Sequence, residues 1–224
     1  MESSTSSSSI KQLPFLCGLT GSIGMGKSTV SAFFKQQGVR VLCADEVVHK
    51  LYSAGGAAVA PVGAAFPSAV VDGAIDRAAL SKCVVGNEAA MKQLEGIVHP
   101  LVEQERKQFI AEHAAAGSPL LLFDIPLLFE TQAQQGLDAV AVVSAPAEQQ
   151  RQRVMARPGM TADKLEAILA RQVPDAEKRR LADFVLDTGC SMQQTEQQVL
   201  QLIAVLQGRQ GTAAARALGR AAEQ

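Results

Sequence analysis

Gly18-Leu19-Thr20-Gly21-Ser22-Ile23-Gly24-Met25-Gly26-Lys27-Ser28-Thr29 joins an apolar run of strand length to an amphipathic run of helix length. Residues 21–28 match G-x-x-x-x-G-K-[ST] in the context that gives the pattern meaning, after a strand and opening a helix. With Gly at about 7% and Lys and Ser+Thr at ordinary frequencies, such a match arises by chance in about one chain of this length in a hundred. The chemistry accounts for each position. Gly21 and Gly26 permit conformations and approaches that a Cβ blocks, so the backbone N–H groups of residues 21–26 can converge on phosphate oxygens. Lys27 supplies a compact cation for the β- and γ-phosphates, and the Ser28 hydroxyl is a candidate Mg²⁺ ligand. Gly21, Ser22, Ile23, Gly24, Met25, Gly26, Lys27, Ser28 and Thr29 are therefore the candidate ATP-binding residues. The glycine spacing is not the dinucleotide fingerprint.

Outward from this loop the chain alternates apolar runs with amphipathic segments, the pattern of an α/β protein with a parallel sheet between helices. Residues 14–19 read as a buried first strand and 27–37 as a helix carrying Val30, Phe33 and Phe34 on one face, stopped by Gly38. Residues 39–44 form a second strand delivering Asp45, and 120–123 a third delivering Asp124. Residues 139–143 and 184–186 complete five strands. Ligands of open α/β sheets bind outside the carboxyl ends of the strands, where Asp45 and Asp124 fall. Residues 54–117 break the alternation and read as a helical insertion, with helices over 76–85 and 88–115 and a break near His99, since Pro100 is expected to open a new helix. Ser191-Met192-Gln193-Gln194 fits a capping box opening a last helix. The Ser-rich residues 1–12 and the Ala/Gly/Arg/Gln-rich residues 208–224 read as flexible tails.

The chain has 224 residues, 47% hydrophobic and 19% charged, which suits one folded domain and excludes disorder from end to end. Twenty-one basic against 22 acidic residues leave a net charge of −1, which argues against a nucleic-acid or membrane coat and for a small partner. No apolar run reaches the ~18 residues of a membrane span, and residues 1–10 lack the regions of a secretory signal, so a cytoplasmic protein is expected. Cys17, Cys43, Cys83 and Cys190 form no CxxC pair and read as reduced core thiols. Trp is absent and Tyr52 is alone, which disfavours a base-stacking platform. The only Asn is Asn87, so a guanine-reading N-K-x-D loop cannot be built, and no D-x-x-G follows a strand.

Further pieces extend the pattern: Cys43-Ala44-Asp45, Gly73-Ala74-Ile75-Asp76-Arg77-Ala78-Ala79-Leu80, Leu94-Glu95-Gly96-Ile97-Val98-His99-Pro100, Asp124-Ile125-Pro126-Leu127-Leu128-Phe129-Glu130, Gln150-Arg151-Gln152-Arg153-Val154-Met155-Ala156-Arg157 and Ala182-Asp183-Phe184-Val185. In order and spacing these resemble the dephospho-CoA kinase family over residues 16–205. The resemblance implies a P-loop three-layer fold similar to the nucleoside monophosphate kinases, with a five-stranded parallel sheet, a helical substrate-binding insertion and a lid. It places a kinase domain at 13–207, with core segments 13–53, 118–147 and 175–207, the insertion at about 54–117 and the lid at about 148–174. The implied reaction is ATP plus 3′-dephospho-CoA giving ADP plus CoA with Mg²⁺, without nucleic acid, membrane or obligate protein partner.

On that reading Asp45 is the general base for the ribose 3′-hydroxyl. Asp124 stands where a Mg²⁺-holding acid belongs, with Ser28 as the other candidate metal ligand. Arg153 and Arg157, four apart on one helix face, are candidate lid guanidiniums for developing phosphoryl charge. Arg77 and His99 in the insertion are candidate substrate contacts. Each residue also has a structural reading: a helix cap for Asp45, a turn for Asp124, solvated arginines, and a packed or capping histidine. Two positions depart from the family pattern: Thr188 stands where an Asn is frequent, and Ile168 stands before Gln172 where an Arg is frequent. Another small-molecule P-loop kinase and a nucleotide-gated regulatory module are the competing functional readings.

Overall fold

In the computed structural model, which describes residues 13–219, the five apolar runs are strands of a single parallel sheet. They are β1 (Phe15–Thr20), β2 (Arg40–Cys43), β5 (Leu120–Asp124), β6 (Ala139–Ser144) and β7 (Phe184–Asp187), in the order β2-β5-β1-β6-β7. The central strands β1, β5 and β6 are buried along their whole length because helices cover both faces. On one face Phe15, Cys17 and Leu19 pack with Val30 and Phe34 of α1 (Lys27–Gln36) and Leu202 and Leu206 of α9 (Met192–Gln207). On the other, Leu16, Leu121 and Phe123 pack with Ile110 of α5 (Glu88–Ala115) and with Ala213 and Ala214 of α10 (Ala213–Ala217).

A third apolar cluster lies among the helices between β2 and β5. It gathers Val47 and Leu51 of α2 (Ala44–Tyr52), Val62 of α3 (Val59–Ala65), Ile75 of β4 (Ala74–Ile75), Leu80 of α4 (Arg77–Val84) and Val98 of α5. Strand β4 pairs antiparallel with β3 (Val70–Val71), and Asp72 and Gly73 between them both have positive φ. This hairpin is absent from the sequence reading, although Asp-Gly between short apolar runs is its usual signal. Three further helices follow β6: α6 (Ala147–Met155), α7 (Ala162–Leu169) and α8 (Asp175–Leu181).

Three expectations need correction. The helix over residues 88–115 does not break at Pro100 but runs unbroken through it. Pro100 removes one intrahelical bond, that to the Gly96 carbonyl. Gly96, His99 and Pro100 all lie on the exposed face, where water can take that carbonyl, while Ile97, Val98, Leu101 and Val102 continue the buried stripe.

The second correction is the tail from residue 208. Residues 212–219 are not free but seat α10 against the sheet, with Ala213, Ala214 and Ala215 buried. Small side chains let this helix approach the strand layer closely, so a composition without large apolar residues can still pack. Asp138 fastens it, accepting from Thr212 N at 2.7 Å and Ala213 N at 2.8 Å while also accepting from Leu16 N at 2.9 Å. Asp138→Ala is expected to cost about 2–3 kcal/mol, read by urea unfolding, with amide exchange in residues 212–218 rising first. The expected tail at residues 1–12 lies outside the described residues.

Third, of the four cysteines only Cys17 is fully buried, its thiol pushed up to about 12 by that burial; Cys43, Cys83 and Cys190 are half-buried, and all four are free. No helix among the described residues is long and apolar enough to cross a membrane.

Candidate active site

The loop between β1 and α1 floors a cavity of about 510 Å³ at the carboxyl end of the sheet. Its wall runs from Gly21 through Thr29 and includes Asp45, Pro126, Arg153, Arg157, Ile168 and Gln172, with Thr188, Met192 and Thr195 at one end. Helix α1 starts on Gly26 with no side chain capping it and no acid in its first turn, so its positive end is left for a bound anion.

Gly26 and Gly24 are left-handed, at φ 84° and 78°. Gly21 is required for another reason: a Cβ there would stand 2.8 Å from the Val143 carbonyl of β6. The loop is held from behind by groups other than its own. Thr188 at the end of β7 donates its hydroxyl to Met25 O at 2.7 Å, and the Ala145 amide donates to the Met25 thioether at 3.2 Å. Thr188 thus braces the loop where the family pattern has Asn. Its placement follows from the rule that strand ends build sites in such sheets.

Lys27 ion-pairs with Asp124, the last residue of β5, whose carboxylate is almost wholly buried. Asp124, expected as a Mg²⁺-holding acid with a turn as the structural reading, is the partner of the loop lysine, and a turn follows it from Pro126. Asp45 is not at the end of a strand but in the first turn of α2, two residues beyond β2, exposed on the cavity wall; Cys43, not Asp45, occupies the cap position.

Arg153 and Arg157 both reach the cavity from the α6 side. Arg153 is already engaged, donating to Thr188 O at 2.7 Å and Gln149 Oε1 at 3.3 Å, whereas Arg157 is exposed beside the left-handed Gly159. Arg77 and His99 are not in the cavity wall. The Arg77 guanidinium lies over the Tyr52 ring at 5.9 Å, and His99 stands exposed midway along α5.

Beneath the cavity, Lys178 of α8 is completely buried and sits 2.9 Å from Glu130 Oε1, which also accepts from Val173 N at 2.8 Å. Burial opposes ionisation of Glu130, but the Lys178 ammonium and the Glu130 and Val173 backbone N–H groups outweigh it and hold the carboxyl below the ordinary glutamate value of 4.5. Because the native value is the lower one, this stabilisation is complete above the unfolded-state value and lost as pH falls through the native one. Denaturation midpoints followed from pH 7 to pH 3 are therefore expected to fall less steeply in Glu130→Gln than in the parent.

A family model described as Dephospho-CoA kinase matches residues 15–194. A Mesorhizobium japonicum dephospho-CoA kinase is 55% identical over 195 residues, covering 87% of this chain and 98% of the relative. The chain belongs to the dephospho-CoA kinase family. A second relative, the dephospho-CoA kinase of Rhizobium meliloti, is 54% identical over 84% of this chain and 96% of its own. Among solved structures, a Thermus thermophilus protein aligns at TM-score 0.75 and 35% identity, covering 87% of this chain and 99% of that one. A dephospho-CoA kinase from Campylobacter jejuni shares the fold at TM-score 0.60 and 24% identity, over 85% and 96% of the two chains. Membership of that family, together with the fold, makes this chain an ATP-dependent kinase of the P-loop fold. The sequence marks Gln150 within a family-like segment and Gln172 and Thr188 at the departures from the family pattern, but not their contacts with Ile23 and Met25; only their spatial return to the loop reveals those.

Proposed function

We propose that this chain transfers the γ-phosphoryl group of ATP to the ribose 3′-hydroxyl of 3′-dephospho-CoA, giving ADP and CoA. The observation that carries this reading is the shared cavity: Lys27, Asp45 and Arg157 face one space floored by the loop. The family supplies the acceptor.

The loop amides and the free end of α1 hold the β- and γ-phosphates. Lys27 leaves Asp124 for those oxygens and neutralises charge there. Asp45 accepts the 3′-hydroxyl proton as its oxygen bonds to phosphorus and the bond to the ADP oxygen breaks. Arg157, closing with residues 148–174 as a lid, places its guanidinium on the charge that builds on the transferred group. Arg153 positions the end of β7 through Thr188 while lining the same wall. Arg77 and His99 meet the acceptor from the insertion, residues 54–117.

The donor set fits Mg²⁺: the Ser28 hydroxyl and the Asp124 carboxylate are hard oxygens, and Asp124 already lies against Lys27, the neighbour of Ser28. When bound, the ion would neutralise the β- and γ-phosphate oxygens. A chain working on ATP and a soluble thiol ester carrier precursor needs no nucleic acid or membrane, and the cytoplasm is the matching compartment.

The test is ADP formation with Mg-ATP and 3′-dephospho-CoA, compared with adenosine, AMP, CMP, pantothenate and no acceptor. Stimulation confined to dephospho-CoA, with a product heavier by one phosphoryl group, is expected. Stimulation by a different acceptor alone would refute the assignment.

A further inference from the structure

One residue of the phosphate loop, Ile23, is gripped on both of its peptide groups. Its carbonyl accepts from Gln150 Nε2 of α6 at 2.8 Å, and its N–H donates to Gln172 Oε1 at 3.1 Å from the connection between α7 and α8. These glutamines stand at the two stems of the 148–174 segment, so both stems close on the same loop residue. The grip matters because the loop is locally soft. Gly24 follows directly and Gly26 lies three residues on, both left-handed, and glycine alone does not fix the direction of its neighbours' amides.

The second stem is itself anchored within a few residues of Gln172. Val173 N and the buried Lys178 ammonium both meet Glu130 Oε1, and the Ser144 hydroxyl at the end of β6 donates to Asp175 Oδ2 at 2.7 Å. A buried ion pair is weak evidence for stability, since two charges must leave water to form it, and its best use is to fix a geometry. Here the geometry it fixes is the approach of Gln172 to the cavity, whose wall that residue joins.

We propose that Gln172 is a positioning residue for ATP binding, orienting the phosphate loop through the Ile23 amide, and that the buried Glu130–Lys178 pair holds Gln172 against that amide. The inference rests on the kinase reading only in taking ATP as the ligand of the loop.

The test is calorimetric titration of the full chain with Mg-ATP and no acceptor, so its result is independent of the acceptor assignment. Gln172→Ala is expected to weaken ATP binding about tenfold, the effect of one lost hydrogen bond in a preorganised site. In turnover assays KM for ATP should rise in step while KM for the acceptor holds. Glu130→Gln should weaken ATP binding severalfold alone and add less than twofold in the Gln172→Ala background, since both act through one contact. If Glu130→Gln does not fold, Glu130→Asp, which keeps the charge and shortens its reach, takes its place in the cycle. ATP affinity within twofold of the parent in Gln172→Ala, or a Glu130 effect undiminished in that background, would overturn the proposal.

Discussion

Asp45→Asn is expected to lower kcat by about 10²–10⁴ while Mg-ATP binding stays within twofold of the parent. The substitution keeps the shape of the side chain and its place in the first turn of α2, so the cavity wall is unchanged. What it removes is the ability to take a proton, which the amide lacks at any pH used for assay. The signature should therefore lie in turnover rather than in ATP binding. Asp45→Glu should retain partial turnover, because the base survives at a displaced position. Steady-state kinetics against dephospho-CoA, with calorimetry for ATP, separate these outcomes. A kcat in Asp45→Asn equal to the parent's would remove the general-base role and return Asp45 to the first turn of a helix.

Lys27→Met should have a double effect. It removes the cation meant for the β- and γ-phosphates, with an expected loss of about 10³ in kcat/KM. It also leaves the buried Asp124 carboxylate without its partner, which is expected to cost about 3 kcal/mol of stability. The double variant Lys27→Met/Asp124→Asn distinguishes the two. With no charge left to strand, it should recover most of the lost stability in urea unfolding yet remain as inactive as the single variant. Recovery of activity along with stability would mean that Lys27 serves the fold alone.

How legible this was in the sequence depended on the range of the forces involved. The five strands and the loop were readable because β1, β5 and β6 are continuous apolar runs and the loop is a contiguous motif whose chemistry is local. Asp45 and Asp124 could be placed within two residues, since strand ends are where such sheets build sites. Pro100 was misjudged because local propensity was weighed without the tertiary packing that holds both halves of α5. The tail misled in the same way: three alanines carry almost no periodic signal, and the Asp138 carboxylate that fastens them is more than seventy residues away. The contacts of Gln150, Gln172 and Thr188 with the loop are not legible even where those residues fall in family-like segments, because an amide or hydroxyl that braces a distant backbone group leaves no pattern along the chain.

The unbroken course of α5 bears on how the acceptor can be enclosed. Its 28 residues make a rod of about 42 Å. One end, through Leu94 and Val98, packs in the cluster with α2, α3 and α4, and the other, through Ile110 and Ala114, is buried, Ile110 packing against the sheet. A helix packed at both ends offers no hinge at Pro100, where the sequence alone reads a break between two helices. On the lid reading proposed above, adjustment around the acceptor comes from the stretch of α6 and α7 that lies between Gln150 and Gln172, the two side chains held on Ile23. On that reading the two sides of the site are mechanically unequal: α5 is the anvil, and the 148–174 segment the moving jaw.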